Sequence, residues 1–452
     1  MRDAALLQVM GVNTIRVYNV NPDVNHDKCA SIFNAAGMYM VLDVNSPLVG
    51  DSLTSDKPWE SYYAAYLNRT FAVVEAFKDY PNTLAFFSGN EVLNNEQTGA
   101  TVPPYMRAVT RDIKNYIKKH VSRVIPVGYS AADVRSILFD TYNYFQCSIE
   151  GEEDDISRGD IFALNSYSWC ADSSFEAAGY NELVSGFKGT AVPIFFSEYG
   201  CNTPSPRIFT EVGTIYGDKM TGVFSGGVVY EYTQEENNYG LVQMNEDGTA
   251  KLMADFVSLQ GQYSKLDFAK IQDQKPASES TAKPPVCDSK LITTKGFSNN
   301  FTLPALPEIN EIISNGVKPA PKGQLVTITD WKVKYTVKNA DGSTITNLAV
   351  KPLADDAINS MSFFFPFIYQ IVSLTFPPRP GQQHRLWHAD VYRDRQRQRR
   401  HRLEHLVLAR RHHQPQRCCR RRRRRPACYG HGRSCRRGWY CLLKSPTNGF
   451  DG

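Results

Sequence analysis

Short apolar runs alternate with helical segments through the first 268 residues, and this alternation limits the fold more than any other feature of the sequence. The runs are Thr14–Tyr18, Met38–Asp43, Leu84–Glu91, Val124–Tyr129, Ile161–Tyr167, Ile194–Glu198 and Gly227–Tyr232, with helical patterns at 27–37, 59–79, 103–120 and 208–220. Apolar strands that alternate with helices form a parallel sheet, because each parallel pair needs a crossover. Seven strands are visible, and an α/β barrel of this type needs eight. The first recognisable element, residues 3–10, reads as a helix closed by Gly11, so the expected absentee is the first strand. The predicted fold is therefore a (β/α)8 TIM barrel lacking its first strand, over residues 1–268.

Two of these runs end in the same way. Leu84-Ala-Phe-Phe passes through Ser-Gly-Asn into Glu91, and Ile194-Phe-Phe passes through Ser197 into Glu198. Counted in a complete barrel, Glu91 ends the fourth strand and Glu198 the seventh. A lone glutamate at a strand end is usually a solvated surface group. Two on buried strands, at the face where barrel enzymes carry their chemistry, form the carboxylate pair that glycosidic-bond cleavage requires. In a retaining mechanism Glu198 attacks the anomeric carbon and Glu91 protonates the leaving oxygen, with carboxyl groups about 5–5.5 Å apart. Asn90 is placed to hydrogen-bond the sugar hydroxyl beside the reacting carbon.

Charge and histidine usage exclude other chemistries. The net charge of +5 hides an uneven chain: from residue 358 onward there are 21 Lys and Arg against 4 Asp and Glu, which leaves the first 357 residues at −12. Nucleic-acid binding would rest on the tail alone, through Arg420 to Arg425, and no such partner is expected. Only His26 and His120 lie in the body, too few and too isolated for a Ser-His-Asp triad or a typical zinc site, and no metal or cofactor is expected. Cys29, Cys147, Cys170, Cys201 and Cys287 are widely spaced, which leaves disulfides or buried thiols as the choices. Sequons at Asn68 and Asn300 are compatible with secretion. Met1 is followed at once by an amphipathic helix and not by a signal peptide, so the protein is either cytosolic or lacks its start.

Beyond the barrel, residues 269–290 are rich in Pro, Ser and Lys and read as a linker. Short alternating runs at 325–329 and 332–338, with a turn at Asp341-Gly342, predict a small antiparallel β domain over 291–357. From 358 to 452 the chain reads as a disordered, non-globular basic tail. Its apolar stretch Phe363–Phe376 is broken by Pro366 and is too short to cross a bilayer. A poly-Arg run is what an Ala-rich frame yields when shifted by one base, so 361–452 is read as read-through with a frameshift.

Several motifs together carry a family resemblance over residues 2 to about 357. Arg2-Asp-Ala-Ala-Leu-Leu, Asn13-Thr-Ile-Arg-Val-Tyr18, Gly89-Asn-Glu91, Ser197-Glu-Tyr-Gly-Cys-Asn202, Phe224–Tyr232 and Asn237-Asn-Tyr-Gly-Leu-Val242 resemble the fungal β-1,3-glucanosyltransferases of glycoside hydrolase family 72. The resemblance implies Glu91 as acid/base and Glu198 as nucleophile. It also implies that Tyr18, Asp43, Asn90, Tyr167, Tyr230 and Tyr239 line the sugar subsites, although core packing is an equal reading for Tyr239. Aromatic faces suit pyranose rings. Implied too are disulfides Cys170–Cys201 and Cys147–Cys287, with Cys29 pairing upstream of Met1. Donor and acceptor β-1,3-glucan chains are the expected partners, at the cell surface and wall, with membrane contact only through a family-type lipid anchor. Hydrolysis at the same site, or glucan binding without catalysis, are the rival readings.

Overall fold

The structure is a computed structural model that describes residues 1–151, 154–273, 282–318, 323–355 and 357–360, all within one compact unit. Seven strands, β1 (Thr14–Val17), β2 (Tyr39–Asp43), β3 (Thr83–Asn90), β4 (Val127–Ala132), β5 (Ile161–Ser166), β6 (Ile194–Tyr199) and β7 (Phe224–Val229), lie in sequence order in one sheet. Every neighbouring pair is parallel. The sheet curls into a nearly closed barrel, and β1 and β7 form its two edges. Among the described residues no strand stands between them. The barrel lacking one strand is thus the architecture found. Its strands lie close to the predicted runs, except that β4 begins at Val127, Val124 facing solvent, and that β7 runs from Phe224 to Val229, three residues ahead of the predicted Gly227–Tyr232.

Helices cover the outside. Val102–His120 shows why such a segment folds: Val102, Met106, Val109, Ile113, Tyr116 and Ile117 recur at helical spacing and are all buried. Pro103 and Pro104 fall in its first turn, where a missing N–H costs nothing. Lys118, Lys119 and His120 sit in its last turn and complement the helix dipole. Inside the barrel Val41, Ala85, Phe87 and Ala163 form an apolar plug beneath the strand tips, with Phe87 stacked on Phe195 at 6.1 Å.

Three register shifts matter for function. They fall between Phe87 and Asn90, between Leu164 and Asn165, and between Phe196 and Tyr199, all towards the C-terminal ends of β3, β5 and β6. An extra residue in one strand bends it and re-aims its side chains. The extra residues lie in β3, just before Asn90, and in β6, beside Glu198, while Asn165 on β5 faces the bulged part of β6.

The second sheet differs from expectation. It has four strands, in the order β11-β10-β9-β8, and draws on two distant parts of the chain: β8 (Val242–Met244) and β9 (Ala250–Leu252) make a hairpin, while β10 (Val337–Lys338) joins β9 in parallel and β11 (Thr344–Ile345) joins β10 antiparallel. The predicted turn is present, with Gly342 at φ 90° and Asp341 accepting from the Ser343 backbone N–H at 2.9 Å. Residues 325–329 form no strand. Their neighbourhood is tied to the helix Asp27–Ala35 by side chains instead: Gln324 N–H donates to Asp27 at 2.9 Å and Val326 N–H to Ser31 at 2.8 Å. Those bonds occupy backbone donors that a ladder would need. Farther on, Trp331, Val333 and Leu348 pack against the Ala4, Ala5, Ile32 and Ala36 cluster.

Residues 291–301 likewise lie against barrel helices. Asp140 accepts from the Thr293 and Thr294 backbone at 3.0 and 2.7 Å, and Phe301 stacks on Tyr144 at 4.9 Å. In the predicted linker, Phe268–Gln272 is helical, 274–281 lie outside the described residues, and Cys287 is joined to Cys147. The tail predicted from 358 starts later than expected, because Asn359 and Ser360 are buried and Asn359 Nδ2 donates to the Gln8 and Val12 carbonyls at 3.0 and 2.8 Å. From 361 on, Arg420 to Arg425 included, the chain lies outside the described residues.

Candidate active site

Strand geometry delivers both glutamates to one face. Glu198 lies within β6 near its C-terminal end and is 7% exposed; Glu91 follows the last residue of β3. Glu91 adopts φ 49°, a left-handed conformation that costs a non-glycine residue about 1–2 kcal/mol. Its N–H is held by the Ser130 carbonyl at 2.9 Å, which fixes that turn against the neighbouring strand.

Beside Glu198 lies Arg16, on β1, with its side chain 1% exposed. Its guanidinium grips Asp43 through two bonds of 2.9 and 3.1 Å, reaches Asn90 Oδ1 at 2.8 Å and Glu198 Oε1 at 3.0 Å. The fork geometry of arginine is what permits several acceptors at once. Burial by itself would lower the Arg16 pKa, but the charge of Asp43, with Tyr18 and Glu198, outweighs it and raises the value, so the cation is permanent.

Glu198 accepts three hydrogen bonds. Arg16 and the Tyr18 hydroxyl serve Oε1, the latter at 2.7 Å, and the Tyr167 hydroxyl serves Oε2 at 2.6 Å. Both phenols are pushed well above their ordinary pKa, first by burial and further by the Glu198 charge, so both remain O–H donors. Glu91 has a different setting. Its Oε1 accepts from Asn165 Nδ2 at 2.8 Å, and its pKa is raised by burial above all, with the Glu198 charge adding to the shift while Asn165 and Arg16 oppose it. The two carboxyls thus sit in different environments, and that of Glu91 favours its protonated form.

Asn165 links the two halves. Its Oδ1 lies 3.3 Å from Arg16 Nη1 and 2.8 Å from Ser197 Oγ, and its Nδ2 reaches Asn90 Oδ1 at 3.0 Å as well as Glu91. Ser130 Oγ is within 2.8 Å of Asn90 Oδ1 and 3.0 Å of Asn165 Oδ1. Asn90 Oδ1 is thus saturated by donors, which leaves its Nδ2 as the group available to an incoming hydroxyl.

Tyr230 and Tyr239 complete an aromatic wall. Tyr167 meets Tyr230 edge-on at 6.2 Å and Tyr239 at 5.5 Å; Tyr230 and Tyr239 lie 5.3 Å apart, and Tyr18 meets Tyr230 at 6.4 Å. All eight candidate residues therefore join one constellation. Tyr239, for which packing was an equal reading, is only half-buried and belongs to this wall. Near the wall, Cys170 is joined to Cys201, and the second disulfide is Cys147–Cys287. Asn300 of the second sequon is exposed, whereas Asn68 is half-buried on the helix Ala64–Phe77.

Sequence reasoning assigned no role to Arg16, Asn165, Ser130 or Ser197. Arg16 did carry a signal: a charged residue between Ile15 and Val17 in an otherwise apolar strand has to be paired. The other three carried none. A cavity of about 390 Å³ at the N-terminal end of β5 is lined by Lys114, Arg158, Asp155 and Asp160 and holds none of these residues. Lys114 and Asp160 neutralise each other there at 2.6 Å.

Comparison with known proteins agrees with this geometry. Residues 1–267 match the family described as glucanosyltransferase. The chain is 52% identical over 361 residues to 1,3-beta-glucanosyltransferase gel2 of Aspergillus fumigatus, covering 80% of this chain and 75% of that protein. It is 47% identical over 361 residues to the probable 1,3-beta-glucanosyltransferase GAS3 of Saccharomyces cerevisiae, covering 76% and 68%. Among solved structures, Saccharomyces cerevisiae Gas2p in complex with laminaripentaose superposes with a TM-score of 0.60 at 35% identity, covering 69% of this chain and 67% of that one. A barrel missing one strand, with two glutamates at strand ends bridged by Arg16 and Asn165, is thus found in a chain that belongs to the glucanosyltransferase family, glycoside hydrolase family 72.

Proposed function

We propose that this chain is a retaining 1,3-β-glucanosyltransferase that elongates and remodels β-1,3-glucan of the fungal cell wall. The observation that carries the reading is the split environment of the carboxyl pair: Glu198 accepts three donors, while Glu91 is held by Asn165 with its pKa raised by burial.

In the first step Glu198 attacks the anomeric carbon of the donor glucan. The bond to the leaving oxygen breaks, Glu91 supplies its proton, and an ester joins sugar and protein. Arg16 and the Tyr18 and Tyr167 hydroxyls hold Glu198 in place for that attack, and Asn90 Nδ2 binds the hydroxyl beside the reacting carbon. In the second step a hydroxyl at the non-reducing end of another glucan attacks the ester while Glu91 takes its proton. The β linkage is re-formed and Glu198 is released. Two inversions leave the configuration retained, and neither step needs a cofactor.

The glucan itself is the substrate and the acceptor, and the aromatic wall of Tyr167, Tyr230 and Tyr239 offers faces for its pyranose rings. The activity belongs at the cell surface and in the wall. Two disulfides suit that oxidising setting. No described helix is long and apolar enough to cross a membrane, and attachment to the plasma membrane's outer face would come through a lipid anchor.

Incubation with a reduced laminari-oligosaccharide tests the reading. Products longer than the substrate support transfer, and only shorter ones mean an endo-β-1,3-glucanase on the same site. An aryl β-laminarioside with a good leaving group separates the two glutamates. Glu91→Gln should keep most of its first step on that substrate while losing roughly 10²–10⁴-fold on glucan; Glu198→Gln should lose both. Intact turnover in either variant on glucan would remove the assigned roles.

A further inference from the structure

Tyr230 and Tyr239 are carried by a loop segment beyond β7, yet the wall they form requires fixed ring positions. One buried cation reaches the backbone of both. Arg207 is 2% exposed and donates through Nη1 to the Tyr230 carbonyl at 2.7 Å and to the Gly200 carbonyl at 3.2 Å, and through Nη2 to the Tyr239 carbonyl. Its Nε is anchored by Asp255 Oδ2 at 2.6 Å, and its backbone N–H also points to Asp255. The Phe209 ring lies under the guanidinium at 4.7 Å, with the Tyr239 ring 5.7 Å away.

Three chain segments therefore converge on one side chain. Gly200 lies two residues beyond Glu198, Tyr230 directly follows β7, and Tyr239 closes the loop by accepting from the Glu231 N–H at 3.1 Å. A buried Arg–Asp pair is a poor way to gain stability, since well-packed apolar residues commonly serve as well. A planar fork that meets several carbonyls is a good way to fix geometry.

Building on the glucanosyltransferase reading, we infer that Arg207, anchored by Asp255, is a positioning residue that sets the Tyr230 and Tyr239 rings relative to Glu198 and so determines affinity for the glucan chain. It touches neither the reacting atoms nor the sugar. Its effect is on binding, and it passes through the tyrosines.

The test compares Arg207→Lys, which keeps the charge but loses the fork, with Asp255→Asn, which keeps the arginine and weakens its anchor. For laminari-oligosaccharides, KM should rise roughly tenfold in Arg207→Lys and less in Asp255→Asn, with kcat within about threefold of wild type and the alkaline limb of the pH profile unmoved. In a Tyr239→Ala background the Arg207→Lys effect on KM should shrink to less than about twofold, because its route is gone. A merely structural role gives a lowered melting temperature and a smaller active fraction at unchanged KM. That outcome overturns the inference, as does an Arg207→Lys effect that persists undiminished without the Tyr239 ring. Should Arg207→Lys fail to fold, Asp255→Asn decides by the same KM criterion. Calorimetric binding of laminaripentaose separates this from the functional reading: a wild type that binds but does not turn over glucan sinks the activity alone, and binding weakened roughly tenfold in the variants still supports the Arg207 role. A wild type that does not bind laminaripentaose overturns both.

Discussion

Arg16 and Glu198 are joined at 3.0 Å although 182 positions separate them in the chain, and the same guanidinium holds Asp43 through two further bonds. A single cation thus faces two acidic side chains in a nearly dry setting, with a third carboxyl, Glu91, close by. The balance of charge is negative, and burial first, then the Glu198 charge, holds the Glu91 carboxyl above the ordinary glutamate range.

Loss of that cation should be felt in folding before catalysis. Arg16→Ala leaves Asp43 and Glu198 buried without their partner and is expected to destabilise by about 3–5 kcal/mol. Arg16→Lys restores charge but cannot reach Asp43, Asn90 and Glu198 together, so it should recover part of the stability and little of kcat. Chemical denaturation alongside kinetics on laminari-oligosaccharides measures both.

The pH profile should report Glu91. Its carboxyl is raised chiefly by burial and also by the Glu198 charge, so the acid stays protonated to higher pH than an ordinary glutamate and the alkaline limb of kcat/KM lies above the usual carboxylate range. Asn165 opposes this shift through its hydrogen bond to the carboxylate. Asn165→Ala is therefore expected to move the limb to still higher pH. A limb that stays put or falls would mean that this hydrogen bond does not restrain the Glu91 proton.

Tyr167→Phe removes a 2.6 Å hydrogen bond to Glu198 and nothing from its own ring packing. Hydrogen bonds to charged groups contribute about 1.5–3 kcal/mol, which corresponds to a fall in kcat/KM of roughly 10–100-fold. Tyr18→Phe should behave alike, since its hydroxyl serves the other oxygen at 2.7 Å. Steady-state kinetics on both variants checks the pair.

Glu211, buried on the helix Glu211–Ile215 away from these residues, governs a different pH dependence. Burial pushes its pKa up to about 7. A carboxyl raised in the folded state gives stability that is fully present below the unfolded value near 4.5 and is lost as pH rises through about 7. Glu211→Gln should accordingly match wild type at pH 4 and exceed it above pH 7, by about 3 kcal/mol. Melting temperatures across that range decide the matter.

Local patterning was enough to read the barrel and its two glutamates. Strand order follows from apolar runs separated by helical periods, and a carboxylate at the end of Leu84–Glu91 or Ile194–Glu198 stands out because burial stops where polarity begins. Both signals lie within a few neighbouring residues, which is why they survive in a one-dimensional string. Tertiary structure decided the rest, through groups that meet only when the sheet curls. Arg16 becomes the hub because β1 comes to face β6; Asn165 joins Glu91 to the Arg16 and Asn90 network because β5 lies between the strands that carry the two glutamates; Val337–Lys338 pairs with the hairpin Val242–Leu252 and not with a strand at 325–329, because Asp27 and Ser31 claim backbone donors there. Hydrogen-bond partners hundreds of positions apart leave no periodicity behind, and their choice is made by the packing that brings them within 3 Å.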